Sequence, residues 1–301
     1  MGENIFDPKV IASIDRLELR ARRLVEGFMV GIHRSPYRGV STDFAEHRLY
    51  AQGDDLRHLD WKVFARSDHF YVKRYEQETN MEVRFLVDCS RSMFFKGGDA
   101  ALTKFEYAST LAASLAYLLL KQNDAIGLNL FDRDVRSALP PRATMAHFRH
   151  ITDMLEAATP GDDTGLGNAL KKTAIQIKRA GMVVVISDFL DHLSPFSESL
   201  SLLDFEGNEV ILFRIEDPWE KTFPFRGRTM FLGMENEGKL LCDPLDLKTH
   251  YLKERERNVT GLYDICRRHG FFMEQVLTTD SLDGMLAGFL NARAGVRARL
   301  L

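Results

Sequence analysis

Two short apolar runs, Val83–Val87 and Met182–Ile186, each stop at an acidic motif, Asp88-Cys89-Ser90-Arg91-Ser92 in one case and Ser187-Asp188 in the other. Neither run follows the every-other-residue alternation of a half-buried strand, and both are too short for a buried helix. Strands that read as continuous apolar runs belong to parallel sheets covered on both faces. The rest of the chain supports this. Further strands are expected at Ile126–Phe131, Val135–Leu139, Glu209–Ile215 and Phe271–Leu277. Between them, helical spacing is expected over 104–121, 144–158, 166–179, 195–205, 245–269 and 282–293. Alternating strands and helices predict a doubly wound α/β fold, a mostly parallel sheet with helices on both faces. A hairpin is expected over 228–242, around Asn236-Glu237-Gly238.

The N-terminal part reads differently. Val10, Ile14, Leu17, Leu24 and Phe28 predict one amphipathic helix over about 8–31. Arg16, Arg20, Arg22 and Arg23 make it basic, which suits a solvated face, an anionic partner or a membrane surface. A loop follows from Gly31 to Ser41, then a dense polar block from Asp43 to Lys62, then two expected strands at 69–78 and 81–88 with Thr79-Asn80 as a tight turn. The chain is thus expected to form an N-terminal helix and strand-containing extension, residues 1–80, packed on a main domain of residues 81–301.

Composition removes several function classes. The net charge of −3, from 40 basic and 43 acidic residues, gives no global case for nucleic-acid binding. Cys89, Cys242 and Cys266 lack metal-ligand spacing and fit a reducing compartment. The most apolar stretch, Leu111–Leu120, falls far short of the ~20 residues that cross a bilayer. A soluble, cytoplasmic protein is expected.

The acidic motifs carry the chemistry. Strand ends of an open parallel sheet are where ligands bind. Thr164 lies on a third loop, in Gly161-Asp162-Asp163-Thr164-Gly165. If residues 88–92 are extended, Asp88, Ser90 and Ser92 point to one side and Cys89 and Arg91 to the other. With Thr164 and Asp188 they offer two carboxylates and three hydroxyls, hard oxygen donors suited to a divalent cation, Mg²⁺ above all. This arrangement resembles the metal-ion-dependent adhesion site of von Willebrand factor type A domains. The resemblance implies a von Willebrand factor A-like fold and assigns Asp88, Ser90, Ser92, Thr164 and Asp188 as metal ligands.

A second resemblance covers the chain from about Gly39 onward. Tyr50-x-x-Gly53-Asp54-Asp55-x-Arg57-x-x-Asp60-Trp61-Lys62-x-x-Ala65-Arg66 is similar to the signature of a bacterial family known as domain of unknown function fifty-eight. Tyr71-Val72-Lys73, Tyr75-Glu76-x-Glu78 and Val87-Asp88-x-Ser90-x-Ser92-Met93 continue it. That resemblance implies a MoxR-type AAA+ ATPase as partner and a role in assembling or metallating other proteins. Read from its residues, the Gly53-Asp54-Asp55 block suits an ion-pair network clamping the N-terminal segment to the sheet, with a second site on Asp54, Asp55 and Asp60 as the alternative.

The leading function is therefore a non-enzymatic, metal-ion-dependent protein-interaction module, in which a partner carboxylate fills an open position on the ion. The rival is a metal-dependent hydrolase or phosphatase drawing a base from Asp188, Asp191 or His192. A third reading is an adaptor that never loads its site. Nucleotide binding is rejected: Gly233-x-x-x-x-Gly238-Lys239 lacks the following hydroxyl residue, and Gly165-Leu166-Gly167 lacks the third glycine of a dinucleotide fingerprint.

Overall fold

The computed structural model describes residues 4–34, 47–49, 71–73, 81–161, 163–234 and 238–297. The polar block with Gly53, Asp54, Asp55, Asp60 and Trp61, the Thr79-Asn80 turn, Asp162 and the Asn236-Glu237 turn lie outside them. The chain divides into two compact units, residues 1–29 with 80–301, and residues 30–79. Among the described residues of the smaller unit, β1 (His47–Leu49) and β2 (Tyr71–Lys73) pair antiparallel, Arg48 opposite Val72.

The larger unit is built on six strands, β3 (Glu82–Asp88), β4 (Ala125–Phe131), β5 (Val135–Arg142), β6 (Met182–Ser187), β7 (Glu209–Glu216) and β10 (Phe272–Leu277), in the spatial order β10-β7-β6-β3-β4-β5. All neighbours are parallel except β5, which returns antiparallel along β4. From β3 the chain builds outward through β4 and β5, then crosses back to β6 and grows the other way. The direction of winding thus reverses between β3 and β6, a topological switch point, and in open parallel sheets ligands bind at the carboxyl ends of the strands there.

The helices are α1 (Pro8–Ala12), α2 (Leu17–Arg34), α3 (Lys104–Lys121), α4 (Met145–Glu156), α5 (Leu166–Gln176), α6 (Leu193–Phe205), α7 (Pro218–Thr222), α8 (Pro244–His269) and α9 (Leu282–Arg297). Helix α3 packs with α4 and α9, while α6 packs with α5 and α8. Every residue of β6 is buried, as a strand covered on both faces must be. Val183 and Val185 join Leu86, Leu170, Leu200, Leu212 and Leu262 in one core cluster.

The single N-terminal helix expected over 8–31 is two helices. Ser13 ends α1, its hydroxyl returning to Val10 O at 2.6 Å. Helix α2 restarts at Leu17, whose N–H is taken by the Glu156 carboxylate of α4 at 2.5 Å. That cap comes from a residue 139 positions away and leaves no local mark. Strand β5 runs three residues further than expected, through Pro140-Pro141 to Arg142. Its pairs Leu139–Leu128 and Arg142–Ile126 leave both prolines opposite Gly127, a β-bulge. A Cβ on Gly127 would lie 2.8 Å from Leu139 O, so the bulge closes only over glycine. Strands β8 (Thr229–Leu232) and β9 (Lys239–Cys242) form the expected hairpin.

Candidate functional site

Strands β3 and β6 lie side by side in parallel, Val87 opposite Ile186, so their carboxyl ends bring Asp88 next to Ser187-Asp188. Asp88 is fully buried. Its Oδ1 accepts Ser90 N–H at 2.8 Å and its Oδ2 accepts Ser187 O–H at 2.6 Å. Ser187 Oγ in turn accepts Phe189 N–H at 3.0 Å. The Ser90 and Ser92 hydroxyl oxygens are 3.2 Å apart, and both side chains are buried. They meet through a turn of 3-10 helix over Arg91–Phe94 and not through extended alternation. The expected outcome for the neighbours still holds: Cys89 turns away to donate to Phe131 O at 3.1 Å, and Arg91 is exposed.

Thr164 belongs to the loop before α5. Three bonds hold that loop among the others: Gly161 N–H to Cys89 O at 2.8 Å, Gly165 N–H to Asp132 O at 2.8 Å, and Leu166 N–H to Asp191 Oδ2 at 3.1 Å. Gly165 is needed for the approach, since a Cβ there would stand 2.2 Å from Arg133 O. Thr164 Oγ1 is buried and has no hydrogen-bond partner among the described residues. A buried hydroxyl without a partner is a cost of about 1–3 kcal/mol unless something fills the gap.

Asp188 is 1% exposed. Its Oδ1 accepts Leu190 N–H at 3.3 Å, and its Oδ2 takes the Lys104 ammonium at 2.8 Å. Sequence reasoning missed this lysine. It is wholly buried at the first position of α3, where Thr103 and Glu106 form a capping box, and its second partner is Glu220 Oε1 at 2.6 Å. A signal was present: Lys104 shares the face of Ala108, Leu111 and Leu115, a cation on an apolar stripe.

Burial, and then the charge of Asp188, push the Asp88 carboxyl up to about 7, partly opposed by the Ser187 and Ser90 hydrogen bonds. Burial works against the Lys104 charge, but Asp188 and Glu220 outweigh it and hold the ammonium above lysine's ordinary range. Burial and then Asp188 raise Glu220, with Lys104 opposing. If Glu220 is counted against Lys104, Asp88 and Asp188 remain as the two charges for a divalent ion. Among the described residues no three His, Cys, Asp or Glu side chains cluster to hold a metal. The donor set here is instead two carboxylates, the Ser90–Ser92 hydroxyl pair and the partnerless Thr164 hydroxyl, and its chemistry fits a small hard cation. Hydrogen bonds link Asp88 to Ser90 and Ser187, and Ser90 to Ser92; Asp188, next after Ser187, acts on Asp88 through its charge, and Thr164 stands on a separate loop with no hydrogen bond to any of them among the described residues.

Beside Asp188 a half-open cavity of about 390 Å³ is lined by Leu190, His192, Arg214, Tyr251 and Arg255, among others. Glu216 at its wall is held by Arg214 at 3.3 Å, by Gln275 at 2.6 Å and by Arg255. His192 is exposed at the start of α6. Asp191 spends both oxygens on backbone N–H groups, those of Leu166 and His192.

Uncharacterized proteins of Mycobacterium tuberculosis and Mycobacterium bovis are each 28% identical over 239 residues, 77% of this chain and 73% of theirs. The crystal structure of the conserved hypothetical protein BatB from Bacteroides thetaiotaomicron is 17% identical with a TM-score of 0.48, covering 71% of this chain and 99% of that one. An aerotolerance-related membrane protein from Bacteroides fragilis is 19% identical with a TM-score of 0.47, covering 70% and 98%. Among the described residues no helix is long and apolar enough to cross a membrane. The family model described as "Protein of unknown function DUF58" matches residues 46–259, and the chain belongs to that family.

Proposed function

We propose that this chain is a non-enzymatic, metal-ion-dependent protein-interaction module of von Willebrand factor A-like build. In this reading it acts in the cytoplasm with a MoxR-type AAA+ ATPase in the assembly or maturation of other proteins. The observation that carries the metal part is the Thr164 hydroxyl, buried without a partner on the loop that adjoins two buried carboxylates. Asp88, Ser90, Ser92, Thr164 and Asp188 are the residues that would hold the ion, with Mg²⁺ the expected one. A bound divalent cation supplies positive charge between the two carboxylates and an open position for a carboxylate from the partner. Of the five residues, Asp188 lines the neighbouring cavity. The MoxR-type partner rests on the family resemblance alone.

The geometry gives the hydrolase reading little support. Asp191 accepts a backbone N–H on each oxygen, from Leu166 and from His192, which ties it to the start of α5, and His192 faces solvent.

The test is a pull-down of a MoxR-type AAA+ ATPase from the same organism, in Mg²⁺ and in chelator, with wild type and Asp88→Asn. Retention that needs both Mg²⁺ and Asp88 supports the proposal. Equal retention in all four conditions means that the site plays no part in partner binding.

A further inference from the structure

We infer that Lys104 sets which divalent ion the site accepts: its ammonium holds one oxygen of Asp188, so the site takes Mg²⁺ in preference to Ca²⁺. The inference rests on the metal-site reading above and adds a specificity-determining residue to it.

The argument starts from the carboxylate oxygens. Asp188 Oδ2 is 2.8 Å from Lys104 Nζ, and its Oδ1 accepts only the longer bond from Leu190 N–H, at 3.3 Å. Asp88 has one hydrogen bond on each oxygen, from Ser90 N–H and from Ser187 O–H. Each Asp88 oxygen keeps a further lone pair, whereas the Lys104 ammonium closes Oδ2 of Asp188, so Asp188 meets an ion through Oδ1 alone. Ca²⁺ takes about 6–8 oxygens and commonly uses a carboxylate through both of its oxygens. Mg²⁺ takes about six, at close to ideal octahedral geometry, and keeps several of its waters. A site in which Asp188 is held to a single oxygen, with hydroxyls and water for the remainder, favours the second ion over the first.

Lys104 is also fixed in place. It has no exposure to solvent, its backbone is set by the Thr103 capping box at the start of α3, and Glu220 holds its other side at 2.6 Å. The ammonium therefore does not swing away when an ion arrives. It repels an ion that approaches Asp188 Oδ2 and leaves Oδ1 as the open route. An ion pair that only bound loops together would affect folding stability and would leave the choice between two ions of equal charge unchanged.

Removing the lysine alone strands Asp188 and Glu220 as buried carboxylates, so the test uses the charge-balanced pair Lys104→Met with Glu220→Gln, and Glu220→Gln by itself. Titration calorimetry of the full chain with MgCl₂ and with CaCl₂ gives both affinities for wild type and each variant, and melting curves report folding. Wild type is expected to bind Mg²⁺ more tightly than Ca²⁺, and the double variant to move that ratio toward Ca²⁺ by about tenfold or more. Glu220→Gln keeps the ammonium on Asp188, so it weakens both ions and leaves the ratio unchanged or further toward Mg²⁺. Wild type preferring Ca²⁺, an unmoved ratio in the folded double variant, or a shift toward Ca²⁺ in Glu220→Gln each overturns the role of Lys104. A wild type that binds neither ion, no differently from Asp88→Asn, overturns the metal-site reading itself and is distinct from those three results.

Discussion

Ser187 on β6 donates its hydroxyl to Asp88 Oδ2 on β3 at 2.6 Å, joining the two strands at the point where the sheet reverses its direction of winding. Asp88 therefore has two jobs, an anionic one and a hydrogen-bonding one, and different substitutions separate them.

Asp88→Asn keeps the shape and an acceptor for Ser90 N–H while removing the charge. Burial and Asp188 raise the Asp88 carboxyl from 3.8 to about 7, so the folded state holds this proton more tightly than the unfolded chain. Between those pH values the folded form binds more protons, and in chelator Asp88 withdraws stability as pH rises through the window. Melting curves of the chelated proteins at pH 5 and pH 8 should show Asp88→Asn gaining on wild type at the higher pH. Asp88→Ala should instead lose about 1–3 kcal/mol, because it strands two buried donors. Equal pH dependence in wild type and Asp88→Asn would remove the carboxylate pair as its source.

Thr164→Val removes a hydroxyl that has no hydrogen-bond partner among the described residues and keeps the side-chain volume. Without metal the variant should melt above wild type, by up to about 1–3 kcal/mol. With Mg²⁺ at about 100 times its Kd, wild type should gain about 2.7 kcal/mol by mass action and the variant most of a unit less. A large loss in chelator would show that Thr164 holds the loop by a contact of its own.

Gly165→Ala changes no donor. Its Cβ would meet the backbone at Arg133 O, 2.2 Å away, so the loop that holds Thr164 must move. The expected result is weaker Mg²⁺ binding in calorimetry from a residue that offers the ion nothing. Unchanged affinity would mean that the position of this loop does not matter to the ion.

Asp191→Ala should behave as a lost helix cap. Its carboxylate takes the Leu166 N–H at the start of α5 and helps hold the Thr164 loop, so the change should cost about 1 kcal/mol and weaken Mg²⁺ binding less than Asp88→Asn does. Neither it nor His192→Ala should alter any turnover of phosphoesters, because wild type is expected to show none. Metal-dependent hydrolysis abolished by both His192→Ala and Asp88→Asn would reinstate the enzyme reading.

Cysteine chemistry checks the packing independently. Burial pushes the Cys89 thiol up to about 11 and the Cys266 thiol up to about 12, whereas Cys242 is half-buried on β9. Iodoacetamide at pH 8 should label Cys242 alone in the folded protein and all three after denaturation, read by mass spectrometry. Labelling of Cys89 without denaturant would mean that the Asp88 loop opens.

The elements legible in the sequence were those whose signal is local. The apolar runs of β3 and β6 and the helical stripe of α3, 104–121, were found where they lie. So were the acidic residues that follow the two strands. What escaped was set by partners distant in the chain. The break before Leu17 is capped from Glu156, and the helix periodicity on either side gives no hint of it. The geometry of Ser90 and Ser92 was misjudged in form, because a 3-10 turn brings their hydroxyls together where extended alternation was assumed. Lys104 was passed over because a lysine at a helix start reads as solvent-facing, and its partner Glu220 stands 116 residues further on.

The bulge at Pro140-Pro141 has a consequence for how molecules of this protein meet. Among the described strands β5 forms one margin of the sheet, and there two successive residues have no N–H to offer. Arg136, Ala138, Pro140 and Arg142 stand exposed along it. An incoming strand finds a broken row of donors, a kinked path and positive charge, so the sheet does not grow by adding a neighbour on this side. A partner that approaches there is met by side chains, which can change one at a time without redrawing the fold.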